Sequence, residues 1–154
     1  MQAPRVLQRV EARGAAVAFG LEFTFDTSEF SAPAAVRDAT PPTVKKVTPA
    51  ENATGVAPSA NVSAFFSEAM KASTINRTTV KLRKSGTTKN VAASVTYDPV
   101  IKKAVLNPKV NLRPGASYSA TVTTGAKDVA GNALDQNASL TGNQSRTWKF
   151  TVRK

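Results

Sequence analysis

Few side chains in this chain have the chemistry that catalysis requires. Its 154 residues include no histidine and no cysteine, so the most common general base is absent, together with every thiolate nucleophile and thiolate metal site. Among the acidic residues, Glu68 is a candidate general acid, but that role requires a second carboxylate in the same cleft. A pairing with Lys71 or a cap on a short helical turn is the simpler role. We therefore predict that the protein is not an enzyme and holds no cofactor.

The segment that begins at Asp128 has an acidic spacing that invites a calcium site. An EF-hand loop places oxygen ligands at positions 1, 3, 5 and 12. Counted from Asp128, the fifth residue is Asn132, but the third is Ala130 and the twelfth is Ser139, so the ligand set is incomplete. We predict instead a structural loop without a metal. In it Asp128 accepts hydrogen bonds from backbone amides two residues later, and Gly131 and Asn132 take left-handed conformations.

Basic side chains outnumber acidic ones by a wide margin. The chain has 21 Lys+Arg against 10 Asp+Glu, which gives a net charge of +11. Residues 1–40 hold four of the basic and five of the acidic residues, so residues 41–154 carry a net charge of +12. A surplus of this size attracts polyanions such as nucleic acid, acidic polysaccharide and anionic cell-wall polymers.

Four of the basic residues fall at outward positions of predicted strands: Lys81, Arg83, Lys149 and Arg153. One interpretation is a solvated face that protects edge strands from aggregation, and the other is a patch that binds a polyanion. We do not expect nucleic acid to be a partner, because single-strand binders combine basic residues with exposed aromatic ones. Phe65 is the one aromatic residue of the predicted sandwich with outward parity. We favour the protective face and keep the polyanion patch as the alternative.

The elements that must position these residues are short strands separated by turns. The alternation of apolar and polar residues predicts seven of them: Thr43–Thr48, Asn61–Ser67, Thr79–Arg83, Val91–Tyr97, Lys103–Asn107, Ser117–Thr124 and Arg146–Arg153. Residues 49–58 are predicted to be a polar loop, and Glu68–Ile75 a single helical turn. No βαβ pattern is present. The fold class is therefore all-β, a Greek-key sandwich of about seven antiparallel strands.

A tyrosine corner is predicted at the start of the sixth strand. Leu112 is followed by Pro114-Gly115, a strong turn dipeptide in which glycine tolerates the positive φ of the second corner. Tyr118 then lies just inside the strand, where its ring would pack into the sandwich and its hydroxyl would bond back to nearby backbone. We interpret all four residues as structural.

The first forty residues differ from the rest. Residues 1–40 are predicted to be a flexible tail, a linker or the remnant of a preceding domain. The alternative interpretation is that Leu21–Phe25 forms an extra strand that covers a sheet edge. The apolar stretch within Met1–Phe19 is too short for a signal peptide. The sequence contains no run of 18 apolar residues, so no membrane insertion is predicted. Pro41-Pro42 marks the boundary, and residues 41–154 form the sandwich domain.

From about residue 41 to residue 153, the chain resembles the bacterial Ig-like domain of the S-layer type. Four blocks in the same order carry the resemblance: Pro42–Val56, Val62–Met70, Leu112–Val122 and Lys127–Leu134. The resemblance implies an Ig-like sandwich without catalytic residues, which acts as a spacer, linker or adhesive module of an exported bacterial protein. Its expected partners are neighbouring domains of the same polypeptide, its expected location is extracellular or on the cell surface, and it is expected to be a monomer. The alternative function is a module that binds carbohydrate or an anionic cell-wall polymer through the basic surface.

Overall fold

The structure is a computed structural model that describes residues 36–154, within which residues 38–154 form one compact unit. The predictions for residues 1–35, including the strand at Leu21–Phe25, lie outside the described residues. In residues 36–154 the one helical element is a three-residue 3-10 turn, Ala72–Thr74, and this region has no helix with the length and apolar character of a membrane span. This turn occupies part of the segment predicted to be helical.

In the part of the chain that the structure describes, eight strands form two four-stranded sheets. The strands are β1 (Val44–Thr48), β2 (Ala53–Val56), β3 (Val62–Phe66), β4 (Val80–Lys84), β5 (Ala93–Asp98), β6 (Lys103–Pro108), β7 (Ser117–Val122) and β8 (Arg146–Val152). Sheet 1 has the order β1-β3-β6-β5, and sheet 2 has the order β2-β8-β7-β4. If β1 and β2 are counted as one divided strand, the described region has seven strands in the immunoglobulin arrangement. The first, second, fifth and fourth of these (β1, β3, β6 and β5) form one sheet, and the third, sixth and seventh (β4, β7 and β8) form the other. The predicted all-β Ig-like sandwich is confirmed.

The eighth strand, β2, arises because the first strand of the fold is divided between the two sheets. β2 lies in the segment predicted to be a loop, and it pairs with β8 in parallel, whereas every other strand pair is antiparallel. Asn52, with φ of 63°, turns the chain into this position, and its amide donates to the Lys149 carbonyl over 2.7 Å. The sequence of β2, Ala-Thr-Gly-Val, is too short and polar to alternate, so its strand conformation depends on the neighbouring β8.

The core lies between the two sheets and follows the predicted alternation. On β8, Trp148, Phe150 and Val152 are each 1% exposed, and on β7 Ala120 and Val122 are equally buried. Side chains on a strand point alternately to opposite faces, so one set of residues enters the core and the intervening set faces outward. Complete burial of each large apolar side chain contributes about 1.5–3 kcal/mol. These contacts fix the relative position of the two sheets and hence of the residues on their outer faces.

Candidate functional site

The tyrosine corner occupies one end of sheet 2. Tyr118 is buried, and its hydroxyl accepts a hydrogen bond from the Arg113 amide over 2.8 Å. Its ring stacks on Phe150, with ring centroids 5.9 Å apart and an interplanar angle of 20°. The hydroxyl therefore ties the start of β7 to the preceding turn, while the ring contributes to the core.

The turn before Tyr118 is also joined to the last strand. The Ala116 amide donates to the Arg113 carbonyl over 3.2 Å, which closes a tight turn, and Gly115 takes a φ of 73°. The Gly115 amide lies 3.1 Å from the carbonyl oxygens of both Val152 and Arg153. Glycine is needed here because other residues rarely adopt this φ. The corner therefore supports the end of β8.

Leu112, the first residue of the predicted corner, is 2% exposed, and its amide donates to the Pro58 carbonyl over 2.7 Å. Its side chain belongs to the core, in which Leu112 packs with the inward residues of both sheets. The four residues of the predicted corner thus lie together at one end of sheet 2, where they support the fold: Leu112, Pro114, Gly115 and Tyr118.

The loop after β7 is built around Asp128, whose side chain is fully buried. One carboxylate oxygen accepts the Asn132 amide and the other accepts the Asn132 side-chain nitrogen, each over 2.8 Å. The backbone donor is thus four residues along the chain, and not two as the sequence predicts. Gly131 takes a φ of 97°, whereas Asn132 is not among the residues with positive φ. Both oxygens of the buried carboxylate are used to hold the loop closed.

Three carboxylates meet beside this loop, and we call Asp38, Glu68 and Asp128 the acidic cluster. One oxygen of each lies within 4.8 Å of the others. Burial raises the pKa of Glu68, and the negative charges of Asp38 and Asp128 raise it further. A hydrogen bond from the Thr40 backbone, 2.9 Å long, lowers the pKa of Asp38. The cluster therefore concentrates negative charge at the end of the domain opposite the tyrosine corner.

The sequence did not predict the acidic cluster. Asp38 lies in the segment assigned to the tail. The roles predicted for Glu68 are a pairing with Lys71 or a cap on a short helical turn, and the role predicted for Asp128 is confined to its own loop. The fold places two carboxylates beside Glu68, because it joins residues that are 30 and 60 positions apart in the sequence. Only the proximity of the strands that carry these segments brings them together, and no local spacing encodes it.

Carboxylate oxygens are the ligands that calcium and magnesium prefer. Calcium takes six to eight oxygens, and the acidic cluster contributes three carboxylates, of which that of Asp128 already accepts two hydrogen bonds from Asn132. Exposure also differs across the cluster, because Asp38 is exposed and Asp128 is buried. The hydrogen bonds and burial of Asp128 are therefore enough to explain its position in the fold without a metal ligand role.

The outer side of sheet 2 carries the four basic residues singled out in the sequence, and we call Lys81, Arg83, Lys149 and Arg153 the basic face. Lys81 and Arg83 lie on β4, Lys149 lies on β8, and Arg153 follows the end of β8. Ser119 of β7 is paired with both Arg83 and Lys149, so these three residues form one row across the sheet. Lys81 is half-buried and the other three basic residues are exposed. The structure therefore brings the predicted patch together on one surface.

Phe65, the predicted outward aromatic residue, lies on the outer side of sheet 1. It is half-buried between two lysines, with the Lys103 ammonium 5.2 Å and the Lys46 ammonium 5.7 Å from the ring centroid. These distances fit cation–π contacts. The ring is therefore engaged with its own chain and is separated from the basic face by the thickness of the sandwich.

Solved structures with a similar fold include an S-layer protein, the copper resistance protein PcoC and the protein CopC. The S-layer protein SbsC aligns with a TM-score of 0.52 and 20% identity over 75% of this chain. PcoC, a methionine-rich copper resistance protein from Escherichia coli, aligns with a TM-score of 0.54 and 22% identity over 74% of this chain and 100% of PcoC. CopC from Methylosinus trichosporium OB3b aligns with a TM-score of 0.55 and 15% identity over 73% of this chain and 93% of CopC.

The aligned region of this chain spans 14% of the SbsC chain. A comparison with curated proteins found no match. The family of bacterial Ig-like domains, by contrast, matches residues 38–152, which agrees with the compact unit and begins three residues before the boundary inferred from Pro41-Pro42. This match covers about three-quarters of the sequence and confirms the resemblance carried by the four blocks. The chain belongs to the bacterial Ig-like domain family.

Proposed function

We propose that this domain is a non-catalytic structural module of an exported bacterial protein, and that it holds neighbouring segments of the same polypeptide apart. The observation that carries the proposal is that the polypeptide enters the sandwich beside one end of β7 and leaves it beside the other end. A module with its two attachment points at opposite ends transmits position and force along its length, which is what a spacer requires.

The N-terminal attachment lies beside the acidic cluster. The Asn132 side chain donates to the Asp38 carbonyl over 2.8 Å and to the Thr40 carbonyl over 3.3 Å, so the segment that leads into β1 is held against the loop after β7. The Val44 amide, at the start of β1, donates to the Gln136 side chain over 2.9 Å in the same region. The chain therefore enters the sandwich at the end where β7 finishes.

The C-terminal attachment lies beside the tyrosine corner. Thr151, near the end of β8, pairs with Ser117 at the start of β7, and Gly115 binds the carbonyls that follow. The six residues of β7 span about 20 Å at 3.2–3.4 Å per residue. The two attachment points are therefore separated by about the length of one strand.

The strand pairing suits a module that carries tension. β2 is on the N-terminal side of the chain and β8 on its C-terminal side, and the two run in parallel. Tension on the two ends of the domain draws parallel neighbours past each other along their length. Since the inter-strand hydrogen bonds lie across this direction, several must break together. The same pull on an antiparallel hairpin would open its bonds one at a time.

The role in an exported protein is supported by family membership and by the likeness to an S-layer protein. The copper role named for PcoC is not supported by the residues present. Copper sites use histidine, cysteine and methionine ligands, and this sequence has no histidine, no cysteine and two methionines. Of these, Met70 is 2% exposed in the core. A spacer role requires none of these ligands.

Single-molecule pulling tests the proposal directly, because a chain without cysteine accepts two engineered attachment cysteines. We expect Thr40→Cys with Lys154→Cys, which loads the domain end to end, to give a high unfolding force. The control, Thr40→Cys with Val129→Cys, attaches both handles at the N-terminal end and should unfold at a lower force. Equal forces in the two geometries would show that the strand arrangement does not resist tension along the domain, and the proposed spacer role would lose its support.

A further inference from the structure

The basic face has a composition that edge protection does not explain. β4 is an edge strand of sheet 2, so protection against pairing with another chain would be enough to explain Lys81 and Arg83. β8 is an interior strand, between β2 and β7, and Lys149 on its outer side protects no edge. The cations therefore continue from the edge into the middle of the sheet.

None of the carboxylates in the described residues 36–154 lies on the strands that carry the basic face. The six acidic residues of that region lie outside β4, β7 and β8: Asp38, Glu51, Glu68, Asp98, Asp128 and Asp135. Glu51, which precedes β2, forms an ion pair with Arg146 at the start of β8 over 3.1 Å. The Arg83 side chain donates to the Asn90 side chain over 3.0 Å, a neutral contact that does not compensate the guanidinium charge. Among the described residues 36–154, the basic face is therefore positively charged without interspersed negative charge.

Hydroxyl groups fill the surface between the cations. Ser117 and Thr151 are hydrogen-bonded across β7 and β8 over 2.8 Å, and Thr121 and Thr147 over 3.0 Å. A hydroxyl offers one donor and two acceptor positions, so each pair keeps one O–H and several lone pairs for a ligand. Ser119 lies between these two pairs, in the row with Arg83 and Lys149. A ligand on this surface would meet donors and acceptors along its whole length.

The cations are spread out along and across the strands. Two residues along a strand correspond to about 7 Å, four residues to about 13 Å, and two strand spacings to about 10 Å. In that order, these backbone intervals separate Lys81 from Arg83, Lys149 from Arg153, and Arg83 from Lys149. Such spacing fits a ligand whose negative charges are separated by neutral polar groups, and it is too wide for one compact anion.

We propose that the basic face binds an acidic polysaccharide, with carboxylates of successive sugars at the cations and sugar hydroxyls at the serine and threonine rows. Charge complementarity carries this assignment. The buried aromatic residues of β7 and β8, Tyr118, Trp148 and Phe150, all face the core, so these strands offer no ring for the stacking on which binders of single-stranded nucleic acid depend. The proposal does not depend on the spacer role.

Fluorescence polarisation with a labelled galacturonic acid decasaccharide tests the proposal. We expect saturable binding at low salt that weakens as salt rises. The double variant Lys81→Gln/Lys149→Gln should weaken binding by about tenfold, from exposed ion pairs that contribute up to about 1 kcal/mol each. The matched control, Lys45→Gln/Lys109→Gln, removes the same charge from exposed positions outside the basic face and should change affinity by less than about twofold.

A third variant separates hydroxyl contacts from charge. Ser119→Ala keeps every cation of the basic face and should weaken binding by about twofold to fivefold through the loss of one hydrogen bond. An unfolding curve for each variant excludes loss of structure as the cause of weaker binding.

Three results would overturn the proposal. Wild-type protein that does not bind the decasaccharide at low salt has no such site. An equal loss of affinity in the two double variants would assign binding to overall charge. Single-stranded DNA that binds more tightly than the decasaccharide, with the same sensitivity to Lys81→Gln/Lys149→Gln, would assign the surface to nucleic acid.

Discussion

The two faces of sheet 2 carry opposite kinds of side chain on the same three strands. On β4, β7 and β8 the inward residues include Leu82, Val122 and Trp148, each at most 1% exposed. The residues between them on the outer side are lysine, arginine, serine and threonine. Because adjacent residues differ only in which face they occupy, stability and binding are assigned to alternate positions of the same strands.

This division predicts that the two properties respond to different substitutions. An inward residue stabilises the sandwich through packing, and it does not contact a ligand on the outer face. An outward residue is exposed to solvent or half-buried, and surface substitutions of this kind usually change stability by less than about 0.5 kcal/mol. The comparison can therefore be tested one strand position at a time.

The largest expected effect is that of Trp148→Ala, which we predict to lower the free energy of unfolding by about 3–5 kcal/mol through loss of packing and creation of a cavity. Urea denaturation measures it. Trp148→Phe is the matched control and should cost less, because among the described residues the indole N–H has no hydrogen-bond partner. A loss for Trp148→Phe as large as that for Trp148→Ala would show that the indole nitrogen contributes a hydrogen bond after all.

The next largest effect concerns the loop that continues from β7. Asp128→Ala leaves the Asn132 amide without its acceptor and removes one of the acceptors of the Asn132 side-chain nitrogen, and we predict a loss of about 2–3 kcal/mol in the free energy of unfolding. Asp128→Asn keeps one acceptor oxygen and should recover part of this loss. Hydrogen exchange of the Asn132 amide provides the local measurement, and unchanged protection in Asp128→Ala would contradict the role of the carboxylate.

A smaller effect is expected at the tyrosine corner. Tyr118→Phe retains the stacked ring and removes the hydroxyl that accepts from the Arg113 amide, so we predict a loss of about 1 kcal/mol in stability and unchanged affinity for the decasaccharide. Thermal and urea denaturation measure the loss. Stability equal to that of the wild type would mean that the hydrogen bond has no net value.

The smallest effect has the opposite sign and depends on pH. The pKa of Glu68 is raised in the folded state, by burial first and then by Asp38 and Asp128, so the folded protein binds this proton more tightly than the unfolded one. Ionisation of Glu68 therefore costs stability as pH rises from the ordinary glutamate pKa through the raised value. We predict that Glu68→Gln is more stable than the wild type at neutral pH and equal to it in acid below that range.

Thermal denaturation at the two pH values compares the proteins. A Glu68→Gln protein that is less stable at neutral pH would show that the ionised carboxylate supports the fold. Asp128→Asn is a useful companion, because it removes one of the charges that act on Glu68 and should reduce the benefit of Glu68→Gln.

Local patterns explain why much of the fold could be predicted from the sequence. The alternation of β7 and β8 and the corner from Leu112 to Tyr118 each occupy a few consecutive residues, so their structure is encoded where they occur. The same alternation also places Lys81 and Lys149 on an outer face. Parity is a local property, and it is enough to assign a residue to one side of a sheet.

Features that depend on distant pairing could not be predicted in this way. The strand β2 exists because β8 lies beside it, and its four residues carry no alternation of their own. The acidic cluster needs Asp38, Glu68 and Asp128 from three separate segments. The row from Arg83 through Ser119 to Lys149 likewise follows from strand order and register, which parity alone does not give.

The most direct test of the account uses two adjacent residues of β8, Lys149 and Phe150. Lys149→Gln should weaken decasaccharide binding by about threefold and leave the urea midpoint unchanged. Phe150→Leu should lower the free energy of unfolding by about 1 kcal/mol and leave affinity unchanged while the protein is folded. If either substitution changes stability and affinity together, the division between the inner and outer faces of sheet 2 is contradicted.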